Sequence, residues 1–187
     1  MENDVVVLTI DFEASCLPKH GRSFPIEVGI AGAGVERSWI IQPHADWRGW
    51  DWTAEAEALH GLDRARIARD GKPADIVFAE LADMVGARRL VADSLIDQYW
   101  LDTLALAARR TCPFAIDHVS ALLDEYGADE ARITAAVAFA DAHYPDRHRA
   151  ICDARWLFAL IGHVTGGGAG GVLPPPAGRP AMTLPLC

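Results

Sequence analysis

Residues 5–15 read VVVLTIDFEAS, a run of β-branched and apolar side chains that ends on two acids separated by one phenylalanine. Val5 to Phe12 suits a strand buried on both faces at the centre of a sheet, because a half-exposed strand would alternate with polar residues. Period-two alternation then sends Asp11 and Glu13 to one side, with Cα atoms roughly 6.5–7 Å apart. Two adjacent anions on a core strand repel unless something positive lies between them. The alternative is a strand that has already ended, with both acids solvated in a loop.

Two further short strands follow, PIEVGIAGAG (25–34) and VERSWIIQP (35–43), with a Gly-containing turn that favours an antiparallel meander. The periodicity then changes. Thr53 is placed to cap a short helix AEAEALH, and Ala74 to Val85 is a second helix ended near Gly86. Arg89 to Ala92 reads as a strand and about Leu95 to Ala108 as a helix. A short piece around Phe114 to Ile116 suits a fifth strand, with helices near Asp117–Tyr126, Asp129–His143 and Arg147–His163. Three strands, then helix, strand, helix, strand, helix predict an α/β fold, a mixed five-stranded sheet flanked by helices. That order suits an RNase H-like layout, and other α/β folds share it. Residues 1–164 are expected to fold as one domain, whereas 165–187 (TGGGAGGVLPPPAGRPAMTLPLC) are expected to form a flexible Gly/Pro-rich tail, a candidate for recruiting a partner.

The 187 residues are 51% hydrophobic and 23% charged, enough for a real core without disulfides. Seventeen Lys and Arg against 26 Asp and Glu give a formal charge of −9, which argues against gripping duplex nucleic acid by charge alone. Carboxylates loaded with divalent cations can still attract phosphate. The acidic N-terminus lacks signal-peptide character, so secretion and membrane insertion are not expected. Cys16, Cys112, Cys152 and Cys187 form no C-x-x-C pair, and a reducing cytoplasmic location is the expectation.

Two more acids sit on apolar stripes. Asp97 has Trp100, Leu101 and Leu104 at i+3, i+4 and i+7, and Asp153 has Trp156, Leu157, Leu160 and Ile161 at i+3 to i+8. Either one alone also reads as a cap or a residue at the rim of its stripe. Four inward carboxylates are costly to bury unless they ligate hard cations, for which Mg²⁺ or Mn²⁺ is the match. Two such ions about 3.5–4 Å apart clamp the attacking and departing oxygens of a phosphodiester. A water nucleophile needs a base, and His148, five residues before Asp153, is an imidazole able to serve. On a regular helix the two side chains would lie about 140° apart, so His148 must stand before the helix, in a loop.

D-F-E at 11–13, the acid within LVADSLIDQYWL and H-R-A-I-C-D at 148–153 together resemble the three motifs of the DEDDh family of 3′–5′ exonucleases. PIEVGIA is similar to the family's second strand and EALHGL (57–62) to its V-H-G-I segment, so the resemblance spans roughly residues 5–163. It implies an RNase H-like exonuclease domain, two Mg²⁺ or Mn²⁺ ions and release of nucleoside 5′-monophosphates from a 3′ end. Asp11, Glu13, Asp97 and Asp153 would bind the metals, Asp11 touching both, with His148 as general base. The middle motif, A-D-S-L-I-D at 92–97, departs from the family's H-N-x-x-F-D and carries Ile96 in place of the aromatic, which leaves Asp93 and Asp102 as alternatives to Asp97. D-x-x-W-L favours Asp97.

The resemblance also places His60 and Leu62 at the terminal nucleotide, and Phe12 beside the sugar through its backbone, since alternation turns its ring to the opposite face. Trp47, Trp50 and Trp52 with Arg48 form either a stacking platform for single strands or a private core beneath their loop. Arg147 and Arg149 flank the base and are candidates for phosphate contact. The expected function is a metal-dependent 3′–5′ exonuclease acting on single-stranded RNA or DNA 3′ ends. The alternative is a non-catalytic nucleic-acid-binding or assembly module of the same fold. Many family members pair, which makes a homodimer a further expectation from the resemblance.

Overall fold

A computed structural model describes residues 6–32 and 34–166. Strand β1 (Val7–Ala14) runs through the middle of a five-stranded sheet. Antiparallel to it lies β2 (Pro25–Gly32), and β3 (Val35–Ile40) continues the meander to one edge. On the other side β4 (Arg89–Ala92) and β5 (Ile116–His118) run parallel, giving the order β3-β2-β1-β4-β5. The helices are α1 (Ala54–His60), α2 (Arg64–Asp70), α3 (Ala74–Val85), α4 (Ile96–Ala107), α5 (Val119–Glu125), α6 (Glu130–His143) and α7 (Ala150–Thr165).

Local chemistry explains most boundaries. The Thr53 side chain caps α1 by accepting from the Ala56 N–H at 3.3 Å, and Asp129 caps α6 through the Arg132 N–H at 2.8 Å. Helix α2, unmarked by the apolar periodicity, is a seven-residue turn capped by Asp63, which accepts from the Arg66 N–H at 2.6 Å. β1 extends beyond Phe12 to Ala14 because β2 keeps pairing as far as Ala14↔Pro25, so both acids stand within the strand. β5 begins two residues later than the apolar letters suggest. Gln98 takes the Ile116 N–H at 2.8 Å and donates to the Phe114 carbonyl at 3.3 Å, while Arg89 bonds Asp117 at 2.6 Å and sets the register. The final helix starts at Ala150, not Arg147, and runs to Thr165, where Gly166 caps it at φ 66°. The remainder of the expected tail, 167–187, lies outside the described residues.

One face of the sheet carries Leu8, Ile10 and Phe12 of β1 with Ile26, Val28 and Ile30 of β2, packed against Val77, Phe78 and Leu81 of α3 and Trp100, Leu101 and Leu104 of α4. Each such side chain removed from water is worth about 1.5–3 kcal/mol. Helix α7 lies on the opposite face, tied down where the Thr9 hydroxyl bonds the carbonyls of Ala31 (3.0 Å) and Ala154 (2.7 Å). No described helix is long and apolar enough to cross a membrane.

β4 pairs with β1 only along Val7–Thr9. Beyond that point the chain turns away into α4, and the last five residues of β1 border a crevice at the carboxyl ends of two parallel strands. Such crevices are where open α/β sheets bind ligands.

Candidate functional site

The crevice collects five carboxylates. Oxygens of Asp11, Asp93 and Asp97 lie within 4.8 Å of one another, as do those of Asp11, Glu13 and Asp153. Asp11 belongs to both triads. Asp11 and Glu13 come from the free end of β1, Asp93 from the residue after β4, Asp97 from the first turn of α4, and Asp153 from the first turn of α7. Asp97 is 2% exposed, Glu13 and Asp153 each 9%. Asp93, weighed in the sequence only as a substitute for Asp97, joins it. Asp102 faces away and accepts from Gln98 at 2.9 Å.

Crowding and burial make Asp11, Glu13, Asp93 and Asp97 hard to ionise. Burial, then the charges of Asp153 and Glu27, push Glu13 from 4.5 up to about 8, with Arg149 opposing. Burial and the neighbouring Asp93 carry Asp97 from 3.8 to about 8, against the pull of the Phe12 N–H. Asp11 stands well above its ordinary value through burial and then through Asp97, Asp153, Glu13 and Asp93. Partial desolvation raises Asp93 as well, and Arg147 counters it. Two oxygen triads sharing one carboxylate fit a pair of hard divalent cations.

His148 stands in the loop before α7, exposed, at φ 65°, a left-handed conformation that few side chains adopt. Its N–H donates to Asp153 Oδ2 at 2.7 Å, which anchors the turn. The imidazole has no hydrogen-bond partner among the described residues. Arg147 donates to Asp153 Oδ1 and stacks 4.2 Å from the Trp156 ring centroid. Arg149, expected beside it at the phosphate, is committed to Glu27 in a two-point bond at 2.6 and 2.9 Å.

Beside Glu13 opens a groove of about 400 Å³ lined by Phe12, Leu59, His60, Thr53, His20 and Trp100. Phe12 packs into the core, as alternation requires, and also lines the groove. His60 Nδ1 accepts from the Leu62 N–H at 3.0 Å, while its buried Nε2 has no hydrogen-bond partner among the described residues. Burial lowers its pKa, against the fields of Glu27 and Glu57. Leu62 is not brought to the groove. Its side chain is fully buried in the core, and Leu59, three residues earlier and 56% exposed on α1, lines the groove instead. The tryptophan loop likewise folds onto the sheet. Trp47 stacks on Phe24 at 5.3 Å, Trp52 donates to Glu57 at 2.6 Å, and Arg22 covers Trp50 at 4.6 Å, so the three indoles form no open platform.

No family model and no curated protein matches the chain. Solved structures do. A full-length 3′-exonuclease superposes with a TM-score of 0.62 at 16% identity over 89% of this chain, which spans 62% of that one. A 3′-exonuclease that recognises the histone mRNA stem-loop gives 0.64 at 15% identity over 96% of this chain and 72% of that one. Pop2p of S. pombe, in its Mg²⁺- and Mn²⁺-bound form, gives 0.59 at 12% identity over 89% and 85%. The fold is RNase H-like. In this RNase H-like sheet the carboxylates gather at the free end of the central strand, and α7 supplies the last acid just after the loop that carries His148.

Proposed function

We propose that the chain is a metal-dependent 3′–5′ exonuclease that hydrolyses phosphodiesters at the 3′ end of single-stranded or short RNA or DNA, releasing nucleoside 5′-monophosphates. The observation that carries this reading is the pair of oxygen triads sharing Asp11, opening onto a groove that fits one nucleotide base. Fold-level likeness to 3′-exonucleases supports it.

Asp11, Glu13 and Asp153 would hold one ion and Asp11, Asp93 and Asp97 the other. Mg²⁺ or Mn²⁺ in such a site polarises a phosphoryl oxygen and makes water a nucleophile at neutral pH. His148, exposed and otherwise unbonded, takes the proton from the attacking water. Its N–H bond to Asp153 keeps that loop at the cluster's edge. The terminal base enters the groove between Leu59 and Phe12, with His60 and Thr53 as polar contacts. Stacking there is worth about 1–3 kcal/mol per base. Arg147, bonded to Asp153 at the rim of the cluster, would meet the phosphate.

The test is product analysis. RNA and DNA oligonucleotides labelled at the 5′ end should shorten to a ladder in Mg²⁺ or Mn²⁺, with 5′-mononucleotides released and with EDTA stopping the reaction. Cation binding by the folded protein without cleavage of either polymer refutes the nuclease and favours a non-catalytic binding module.

A further inference from the structure

Glu27 is a buried acid for which the proposed chemistry has no use. It sits on β2, 1% exposed, directly opposite Glu13 in the β1–β2 register. A lone carboxylate there would be costly, and this one is fully engaged. Arg149 donates to Oε1 from Nη2 at 2.6 Å and to Oε2 from Nε at 2.9 Å, and the Ala150 N–H donates to Oε2 at 3.2 Å. Arg149 is the N-cap of α7 and provides no side-chain cap of its own. Glu27 thus accepts, from β2, one of the free N–H groups at the start of α7, and its charge suits a helix N-terminus.

Two residues along on the same face of β2, Gly29 leaves room for the same turn. A Cβ at that position would fall 2.4 Å from Ala150 C and Ile151 N. Positions 27 and 29 of β2 thus receive one object, the start of α7, and they pair across the sheet with Glu13 and Asp11. His148 precedes that turn and Asp153 lies within it. An ion pair this buried adds little net stability over an apolar pair of the same shape, so what it supplies is geometry.

We infer that the Glu27–Arg149 ion pair is a positioning latch that registers the His148 turn against Asp11 and Glu13. The inference rests on the nuclease reading above. Glu27 touches neither substrate nor metal and acts through Arg149 and the first turn of α7. Glutamine in its place keeps the shape but loses the charge and one of the acceptors. A displacement of about 1 Å at the reacting atoms is enough to cost on the order of a hundredfold in rate.

The test is a cycle on the full chain: Glu27→Gln, His148→Ala and the double variant, assayed on a labelled single strand with Mn²⁺, with Mn²⁺ affinity and thermal midpoint measured alongside. Glu27→Gln should lower kcat by about tenfold to a hundredfold while KM and Mn²⁺ affinity stay within about threefold. In the His148→Ala background the same change should cost less than about twofold, because no base remains to be positioned. Arg149→Lys, which keeps the charge and loses the fork, should show the same pattern at smaller size. The latch is overturned by unchanged kcat, by losses that multiply in the double variant, or by kcat falling only in step with Mn²⁺ affinity. A wild type that cleaves neither RNA nor DNA overturns the nuclease reading and the latch with it, a result distinct from latch failure in an active wild type.

Discussion

Chelating divalent cations and raising the pH from about 5.5 to about 7.5 is expected to destabilise the protein, and the sign follows from the carboxylate crevice. Glu13 and Asp97 titrate near 8 when folded, against 4.5 and 3.8 as ordinary side chains, and Asp11 is raised as well. Between those limits the folded state binds more protons than the unfolded one, so stability is full below about pH 4 and is lost as pH climbs through the folded values. One extra proton corresponds to a slope of about 1.4 kcal/mol per pH unit, and two pH units therefore cost roughly 3 kcal/mol. For a chain of this size that is about 6–12 °C in Tm. The acids share one cavity, so their slopes do not simply add. His60 works in the opposite direction, since its lowered pKa makes the folded state prefer the neutral ring as pH rises. The assay is thermal unfolding at the two pH values in EDTA and in millimolar Mn²⁺. Metal should remove the slope, because it binds the ionised acids and releases their protons, and Asp11→Asn should flatten the slope in EDTA. A Tm in EDTA that is equal or higher at about pH 7.5 refutes the reasoning.

His148→Ala should keep Mn²⁺ binding and lose about 10²–10⁴-fold in turnover, whereas Asp11→Asn should lose both, as read by calorimetric titration and single-turnover cleavage. Leu59→Ser should raise KM several-fold on single strands with little change in kcat, reflecting loss of part of a stacking contact worth about 1–3 kcal/mol; an unchanged KM removes Leu59 from the base site. Gly29→Ala should destabilise by about 1–3 kcal/mol in chemical denaturation, since the added methyl meets the backbone of Ala150 at 2.4–2.5 Å rather than a yielding side chain.

Much of the site is visible in the letters. Asp11, Glu13, Asp97 and Asp153 each break a local apolar pattern, and a pattern break needs no tertiary knowledge to detect. The requirement that His148 stand outside the helix also follows from a count of residues, and the left-handed turn at that position meets it. Leu62 and Arg149 are different cases. In EALHGL both leucines are equally apolar, and only the docking of α1 decides that Leu62 enters the core while Leu59 meets the groove. Arg149 and Arg147 are both cations beside His148, and the buried carboxylate that claims Arg149 lies 122 residues away in the chain. Asp93 becomes a fifth acid because β4 stops one residue before it, where β1 continues.

The sequence by itself determined most of the elements and four of the five acids. Strand and helix periods, the caps at Thr53 and Asp129 and the glycine after α3 act over a few residues, so their physics is written locally. Only the tertiary structure decided which acids gather into each triad, which leucine lines the groove and what holds the start of α7 against β2. Those outcomes depend on where parallel strands part and on how closely a helix can approach a sheet, distances that no single stretch of chain encodes.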